Sequence, residues 1–265
     1  MTRRITENSS RFADMACDRY TSCLRHGLTD LATRWMYREP QSDTCRPANH
    51  LHRAKKIQFT MSLRRSTTMD MKRASVRTVA GESEVDHAIA TLVLAFSTDP
   101  VARWMYDDPH QYLRHIPRLF KALGTAAFES GAAHRTGGGF GVALWLPPGV
   151  HVDDRPLEAV IGETIVVGKQ ADVGAMLERT EDYRPKEPHW YLSLIGVEVL
   201  HRSMGCGAAL LHHGLRQCDR EHLPAYLWSS NRLNTSLYER HGFEIMGTIQ
   251  VGSSPSIFPM LRRAR

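Results

Sequence analysis

The sequence predicts an α/β protein: a mixed β-sheet flanked by helices. Three observations lead there. From residue 75 onward, short runs of period two alternate with longer runs of period 3.6. Gly196–Leu211 reads as strand, turn and helix in one piece: Val197 and Val199 close a strand, Arg202–Gly207 form a turn of pattern Arg-x-x-Gly-x-Gly, and Ala208–Leu211 open a helix. Finally, Gly137, Gly138 and Gly139 sit between two strand-like runs, the mark of a hairpin. Strands and helices interleaved in this way suit a layered fold.

Taken in order, Ser75–Ala80 alternates as a first strand, and Gly81 ends it. Ser83 is a candidate cap for a helix to about Ser97, with Val85, Ile89, Leu92, Val93 and Phe96 on one face. Asp99-Pro100 stops that helix. A short segment over 101–106 follows. Asp107 or Asp108 then caps a helix that has Pro109 in its first turn and runs to Gly131, burying Tyr112, Ile116, Leu119, Phe120, Leu123 and Phe128. Ala132–Thr136 and Phe140–Leu146 form the hairpin. Residues 155–180 hold a helical stretch, with a second short one around Val173–Leu177. His189–Val199 is the central strand, with Trp190, Leu192 and Leu194 alternating against Tyr191, Ser193 and Ile195. Helix 206–221, strand Ala225–Ser229, helix Asn234–His241 with Gly242 at its C-terminus, and strands Phe243–Ile249 and Ser256–Leu261 complete the order.

The chain has 265 residues, enough for one domain of about 190 residues and an extension. The net charge of +6 is unevenly spread. Residues 1–74 carry 15 Lys and Arg against 7 Asp and Glu, whereas 75–265 carry 19 against 21. The basic character therefore belongs to the extension, and the domain 75–265 has no charge excess that calls for nucleic acid. Residues 1–74 show no sustained period and read as a disordered arm. Their alternatives are a start assigned too early, with Met69 or Met71 the true beginning, and a basic nucleic-acid or targeting arm. No apolar run approaches the ~18 residues of a spanning helix, so no membrane partner is expected. The cysteines at 17, 23, 45, 206 and 218 are odd in number and fit no zinc spacing, which points to reduced thiols in the cytoplasm. His201, His212 and His213 are a turn residue and two helix neighbours, and no metal is expected from them.

The turn at 202–207 carries the chemistry. Gly205 and Gly207 allow close approach to the backbone, the following helix N-terminus adds a positive partial charge, and Arg202 adds a planar cation, a combination that suits phosphate. Neither Gly-x-Gly-x-x-Gly nor Gly-Lys-Ser/Thr is present. Further on comes Asn231-Arg-Leu-Asn-Thr-Ser-Leu-Tyr-Glu-Arg-His-Gly-Phe243. Arg-x-x-Gly-x-Gly followed by Asn-x-x-x-Tyr-x-x-x-Gly-Phe resembles the acetyl-CoA-binding half of the GNAT N-acetyltransferases. Arg184–Leu192, Gly196-Val197, Pro224–Leu227 and Tyr238–Phe243 are similar to the puromycin N-acetyltransferase-like branch. The resemblance is clear over 184–265, traceable from about 75 and absent over 1–74.

That resemblance implies the GNAT acyl-CoA N-acyltransferase fold, with the fourth and fifth strands of a central mixed sheet splayed apart and Gly196 at the bulge that opens them. It implies acetyl-CoA as co-substrate, no metal, and transfer of the acetyl group to a primary amine of a small molecule by direct attack, in a monomer or homodimer. Cofactor contacts fall to Val197, Glu198 and Val199 for pantetheine, to Arg202, Ser203, Met204, Gly205, Cys206, Gly207 and Ala208 for pyrophosphate, and to Asn231 and Asn234. Backbone N–H groups near Ile195–Val197 would polarise the thioester. Tyr238 is the general acid. The general base stays open among His189, Tyr191, Ser193, Glu198 and a water chain, with His189 and Ser193 carried forward as catalytic candidates. Two departures stand out. The turn reads Arg202-Ser-Met-Gly205 where relatives have Gln-Gly-Arg/Lys-Gly, and Trp228 stands where relatives place Glu. A non-catalytic acyl-CoA sensor and a peptide N-acetyltransferase remain alternatives.

Overall fold

The computed structural model describes residues 75–265; the basic extension read over 1–74 lies outside them. Seven strands form one sheet: β1 (Val76–Thr78), β2 (Ala133–Thr136), β3 (Gly141–Leu146), β4 (Trp190–Val197), β5 (Ala225–Ser229), β6 (Glu244–Ile245) and β7 (Phe258–Arg262). Their spatial order is β1-β2-β3-β4-β5-β7-β6. All neighbours are antiparallel except β4 and β5, which are parallel. Parallel neighbours need a long crossover, and α6 (Cys206–Glu221) supplies it.

One face of the sheet carries α1 (Glu82–Ala95), α2 (Pro100–Met105), α3 (Pro109–Glu129), α4 (Asp154–Thr164) and α5 (Val167–Glu181). Leu92, Ile116, Leu119, Phe120, Leu144, Tyr191 and Leu194 pack together there. The other face carries α6 and α7 (Arg232–Arg240) over Trp145, Trp190, Leu192, Leu211 and Leu227. Trp145 is fully buried under α6, where a Cβ on Gly214 would come within 2.3 Å of its ring. A glycine on the inner face of that helix is what lets an indole lie flat beneath it.

Several local expectations change. The first helix begins at Glu82 with Gly81, not Ser83, at its N-cap, because the Glu84 carboxylate reaches back to the Ala80 N–H. Residues 155–180 divide into α4 and α5, each with its own apolar side. The last strands are shorter than read, and Ile249 and Ile257 are joined as an isolated bridge.

The central strand ends at Val197, and Val199–His201 form a 3₁₀ turn. Its bulge is at Ser193, not Gly196: Leu144 pairs with Leu194 and Trp145 with Leu192, leaving Ser193 as the extra residue. One extra residue reverses the phase of a strand. Ile195 and Val197 therefore join Leu192 on the α6 face, while Leu194 turns to the α1–α3 face. The expected uniform alternation of Trp190, Leu192 and Leu194 fails at that point. Gly196 has a different task. A Cβ there would sit 2.7 Å from the Ala95 Cβ, so the glycine lets the end of α1 press against the strand.

Candidate active site

β4 and β5 pair only at Trp190/Ala225 and Tyr191/Tyr226. Beyond these two rungs β4 stays with β3, and Leu227–Ser229 of β5 stay with β7. The two central strands thus diverge into a wedge, and the main-chain groups on its edges face an opening instead of a neighbour. The Glu198 N–H donates to the Phe140 carbonyl. Antiparallel alternation then turns Gly196 toward β3 and leaves the N–H and C=O of Ile195 and Val197 facing the wedge.

A cavity of about 80 Å³ lies in this wedge. Because the wedge passes through the sheet, groups from both helical layers reach it. Tyr238 comes from α7 on one side and Asp99, at the head of α2, from the other; both line the cavity. Tyr238 is 6% exposed, with its ring edge-on to Phe243 at 6.1 Å. Burial first, and the Asp99 charge second, hold its phenol above its ordinary range. It is therefore a protonated donor at neutral pH.

Asp99 was read from the sequence only as a helix stop. In the structure it is 8% exposed. One carboxylate oxygen accepts the N–H groups of Val101 and Ala102 at 3.0 Å, capping α2, and the other accepts the Ser230 hydroxyl. Burial raises its pKa, an effect opposed by Ser230, by the two backbone N–H groups and by the Arg202 charge. A desolvated carboxylate facing a protonated phenol across a slot is an acid–base pair in waiting. The one sequence signal for Asp99 was the Asp-Pro pair, which also describes any capped helix start.

The other predicted residues are distributed as follows. Ser193 lines the cavity, and its hydroxyl donates to the Leu123 carbonyl of α3 at 3.3 Å. His189 precedes β4 at the paired end of the two strands, away from the wedge, and its Nδ1 lies 2.8 Å from the Glu187 carbonyl. Tyr191, the remaining candidate base, stacks on Tyr226 at 5.8 Å and is pushed up to about 12 by burial. Glu198 turns its carboxylate to His201, 3.4 Å away, and His201 in turn stacks on Phe140. Val199 is exposed on the 3₁₀ turn, which leaves Val197 as the strand residue of the predicted pantetheine trio. Asn231 caps α7 by accepting the Leu233 N–H at 2.9 Å, and Asn234 lines the cavity.

The turn 202–205 holds two left-handed residues, Ser203 at φ 60° and Gly205 at φ 80°. A serine in that region is uncommon and carries strain, as ligand-cradling turns often do. Among the described residues no side chain caps α6, and a Cβ on Gly205 would meet nothing within 4 Å. Cys206 is buried as α6 begins, and Gly207 lies where a Cβ would touch Leu237 of α7 at 3.3 Å. Ser203, Met204 and Ala208 complete the turn and the first helical residues. Arg202 is partly committed elsewhere: its guanidinium donates to the Ala95 carbonyl at 2.7 Å and to the Val197 carbonyl at 3.4 Å. A helix N-terminus entered through a positive-φ glycine suits a pyrophosphate. The residues present fit coenzyme A by backbone more than by side-chain charge.

Residues 159–243 match the model of the Acetyltransferase (GNAT) family. The chain carries a GNAT acetyltransferase domain, and it is an enzyme of that class. An uncharacterized N-acetyltransferase of Schizosaccharomyces pombe is 29% identical over 178 residues, which are 59% of this chain and 69% of that one. A solved structure from Corynebacterium glutamicum, histone acetyltransferase HPA2 and related acetyltransferase, is 25% identical with a TM-score of 0.53, over 72% of this chain and 96% of that one. Arylalkylamine N-acetyltransferase 2 from Aedes aegypti shares the fold at 12% identity and a TM-score of 0.51, over 72% and 99% of the two chains. In this chain the wedge between β4 and β5 lies beside the Ser193 bulge. Among the described residues, no helix is long and apolar enough to cross a membrane, and no three His, Cys, Asp or Glu side chains gather as metal ligands.

Proposed function

We propose that this acetyltransferase moves the acetyl group of acetyl-CoA to the primary amine of a small molecule by direct attack, in the cytoplasm. The observation that carries the reading is the meeting of Tyr238 and Asp99 across the wedge where β4 leaves β5.

Acetyl-CoA supplies an activated thioester. The chain's part is to hold it, polarise its carbonyl and manage two protons. The first turn of α6 and the 203–205 turn hold the pyrophosphate through main-chain N–H groups. The free edge of β4 at Ile195 and Val197 pairs with the pantetheine arm as an added strand would, and its N–H groups polarise the carbonyl. Asp99 takes a proton from the incoming ammonium, which frees the nitrogen lone pair. The C–N bond then forms and the C–S bond breaks. Tyr238 delivers its phenolic proton to the leaving sulfur, and the second amine proton, shed as the amide forms, restores the phenol. Transfer from a phenol held above its usual range to a thiolate near pKa ~8.5 is uphill by itself, and the concerted return of the second amine proton to the phenol carries it.

Replacing Tyr238 with Phe tests the assignment. Turnover, followed as thiol release, is expected to fall by about 10²-fold, with acetyl-CoA affinity by calorimetry nearly unchanged. Unchanged turnover removes Tyr238 from the mechanism. The shared placement of Asp99 and Tyr238 on the wedge lining favours an enzyme over a non-catalytic sensor.

A further inference from the structure

The wedge cavity is small, about 80 Å³, and its walls are unequal. Phe96, Val101, Met105, Phe120 and Trp228 are among its apolar lining residues. Among the described residues that line it, Asp99 is the one with a carboxylate, and none carries a Lys or Arg side chain. Trp228, singled out in the sequence because it replaces an acidic residue, explains the size. Its ring packs beside Val101 of α2, Met176 of α5 and the Ile249/Ile257 bridge, so the cavity is closed on that side by several elements at once.

We infer that the acceptor is a compact, apolar primary amine with a single positive charge, its ammonium seated on Asp99 and its hydrocarbon against Phe96, Met105, Phe120 and Trp228. The inference rests on the acetyltransferase reading above and adds the substrate class to it. A buried ammonium needs a counter-charge, and Asp99 provides one. A second charge on the same molecule, as in a polyamine, a free amino acid or an aminoglycoside, would meet only neutral side chains there and lose its solvation without gaining a counter-charge. Size is restricted by the Trp228 ring, because each methylene that does not fit is worth about 1–3 kcal/mol.

The test uses the full chain, acetyl-CoA and equal concentrations of n-butylamine, 2-phenylethylamine, spermidine, lysine and a short peptide with a free N-terminus. Thiol release gives kcat/KM for each, and thermal shift reads amine binding without turnover. Butylamine is expected to exceed spermidine, lysine and the peptide by at least tenfold, and its thermal shift to disappear in Asp99→Asn. Trp228→Leu, or Trp228→Phe if the first variant folds poorly, is expected to raise the ratio of 2-phenylethylamine to butylamine by about tenfold. Spermidine, lysine or peptide turned over as well as butylamine would overturn the substrate class while leaving the acetyltransferase reading intact. Butylamine bound through Asp99 without thiol release for any amine would do the reverse. Neither binding nor release would overturn both.

Discussion

Asp99 shows what burial does to a single side chain. It caps α2, yet its second oxygen is held in an apolar wall by one hydroxyl, that of Ser230. Desolvation raises its pKa above the ordinary carboxylate value, so the folded chain holds a proton there more tightly than the unfolded chain. With ν_N above ν_U in that window, stability falls as pH rises through it, and the ionised carboxylate is a net liability to folding at neutral pH. Asp99→Asn keeps an oxygen for the cap and removes the charge. Thermal unfolding at pH 7 is expected to show an equal or higher Tm, the gain over the parent shrinking as pH drops toward 4. Activity is expected to move the other way, with kcat/KM falling steeply and losing its acid limb. A variant that lost stability and activity together would assign Asp99 to the fold alone. Tyr238 contributes no alkaline limb at accessible pH, since its phenol is held above its usual range.

At the scale of elements, β4 is where small residues decide large placements. Gly196 admits the end of α1, and Arg202 then ties that end to the turn through the Ala95 carbonyl. Strand edge, helix end and the 202–205 turn are thus one assembly. Gly196→Ala would put a Cβ against Ala95 at 2.7 Å. The cost is expected to be about 1–3 kcal/mol, read as a lower urea midpoint, with a raised KM for acetyl-CoA because the free edge of β4 shifts. Arg202→Ala is expected to raise the same KM and to lower Tm, whereas a pure phosphate ligand would leave the Tm of the unliganded protein unchanged. The Ser193 bulge was not legible in advance. Ser193 reads like any residue of an alternating strand, and the phase change appears only when β4 is laid beside β3.

Across the whole molecule, the α6 face carries a second electrostatic strain. His134 of β2 lies edge-on to His213 of α6 at 4.5 Å, and burial, then the neighbouring ring, depresses its pKa to about 4. An unfolded histidine near ~6.5 binds its proton earlier, so ν_U exceeds ν_N between those values and stability rises with pH. It is complete above about pH 6.5 and is lost progressively as pH falls toward 4. His213 is depressed as well, by burial and by Arg216, Arg220 and His212, and adds in the same direction. Urea midpoints taken from pH 7.5 to 4.5 are expected to fall, and His134→Gln to flatten that slope. A slope unchanged by the substitution would place the acid sensitivity elsewhere.

Sequence alone determined what is local. The helices and strands from 75 onward follow from period and caps, because apolar spacing and side-chain-to-backbone bonds act over a few residues. The turn 202–207 and Tyr238 were legible as well, since their spacing is a contiguous motif. Tertiary structure decided what needs distant segments to meet. It placed Asp99 against Ser230, 131 residues away, and both beside Tyr238. It set His189 at the paired end of the strands, assigned Arg202 to the Ala95 carbonyl, and made the wedge by withholding hydrogen bonds between β4 and β5. A burial-shifted carboxylate has no signature along the chain, because desolvation is a property of surroundings, and the surroundings of Asp99 are assembled from α2, α7, β4 and the end of β5.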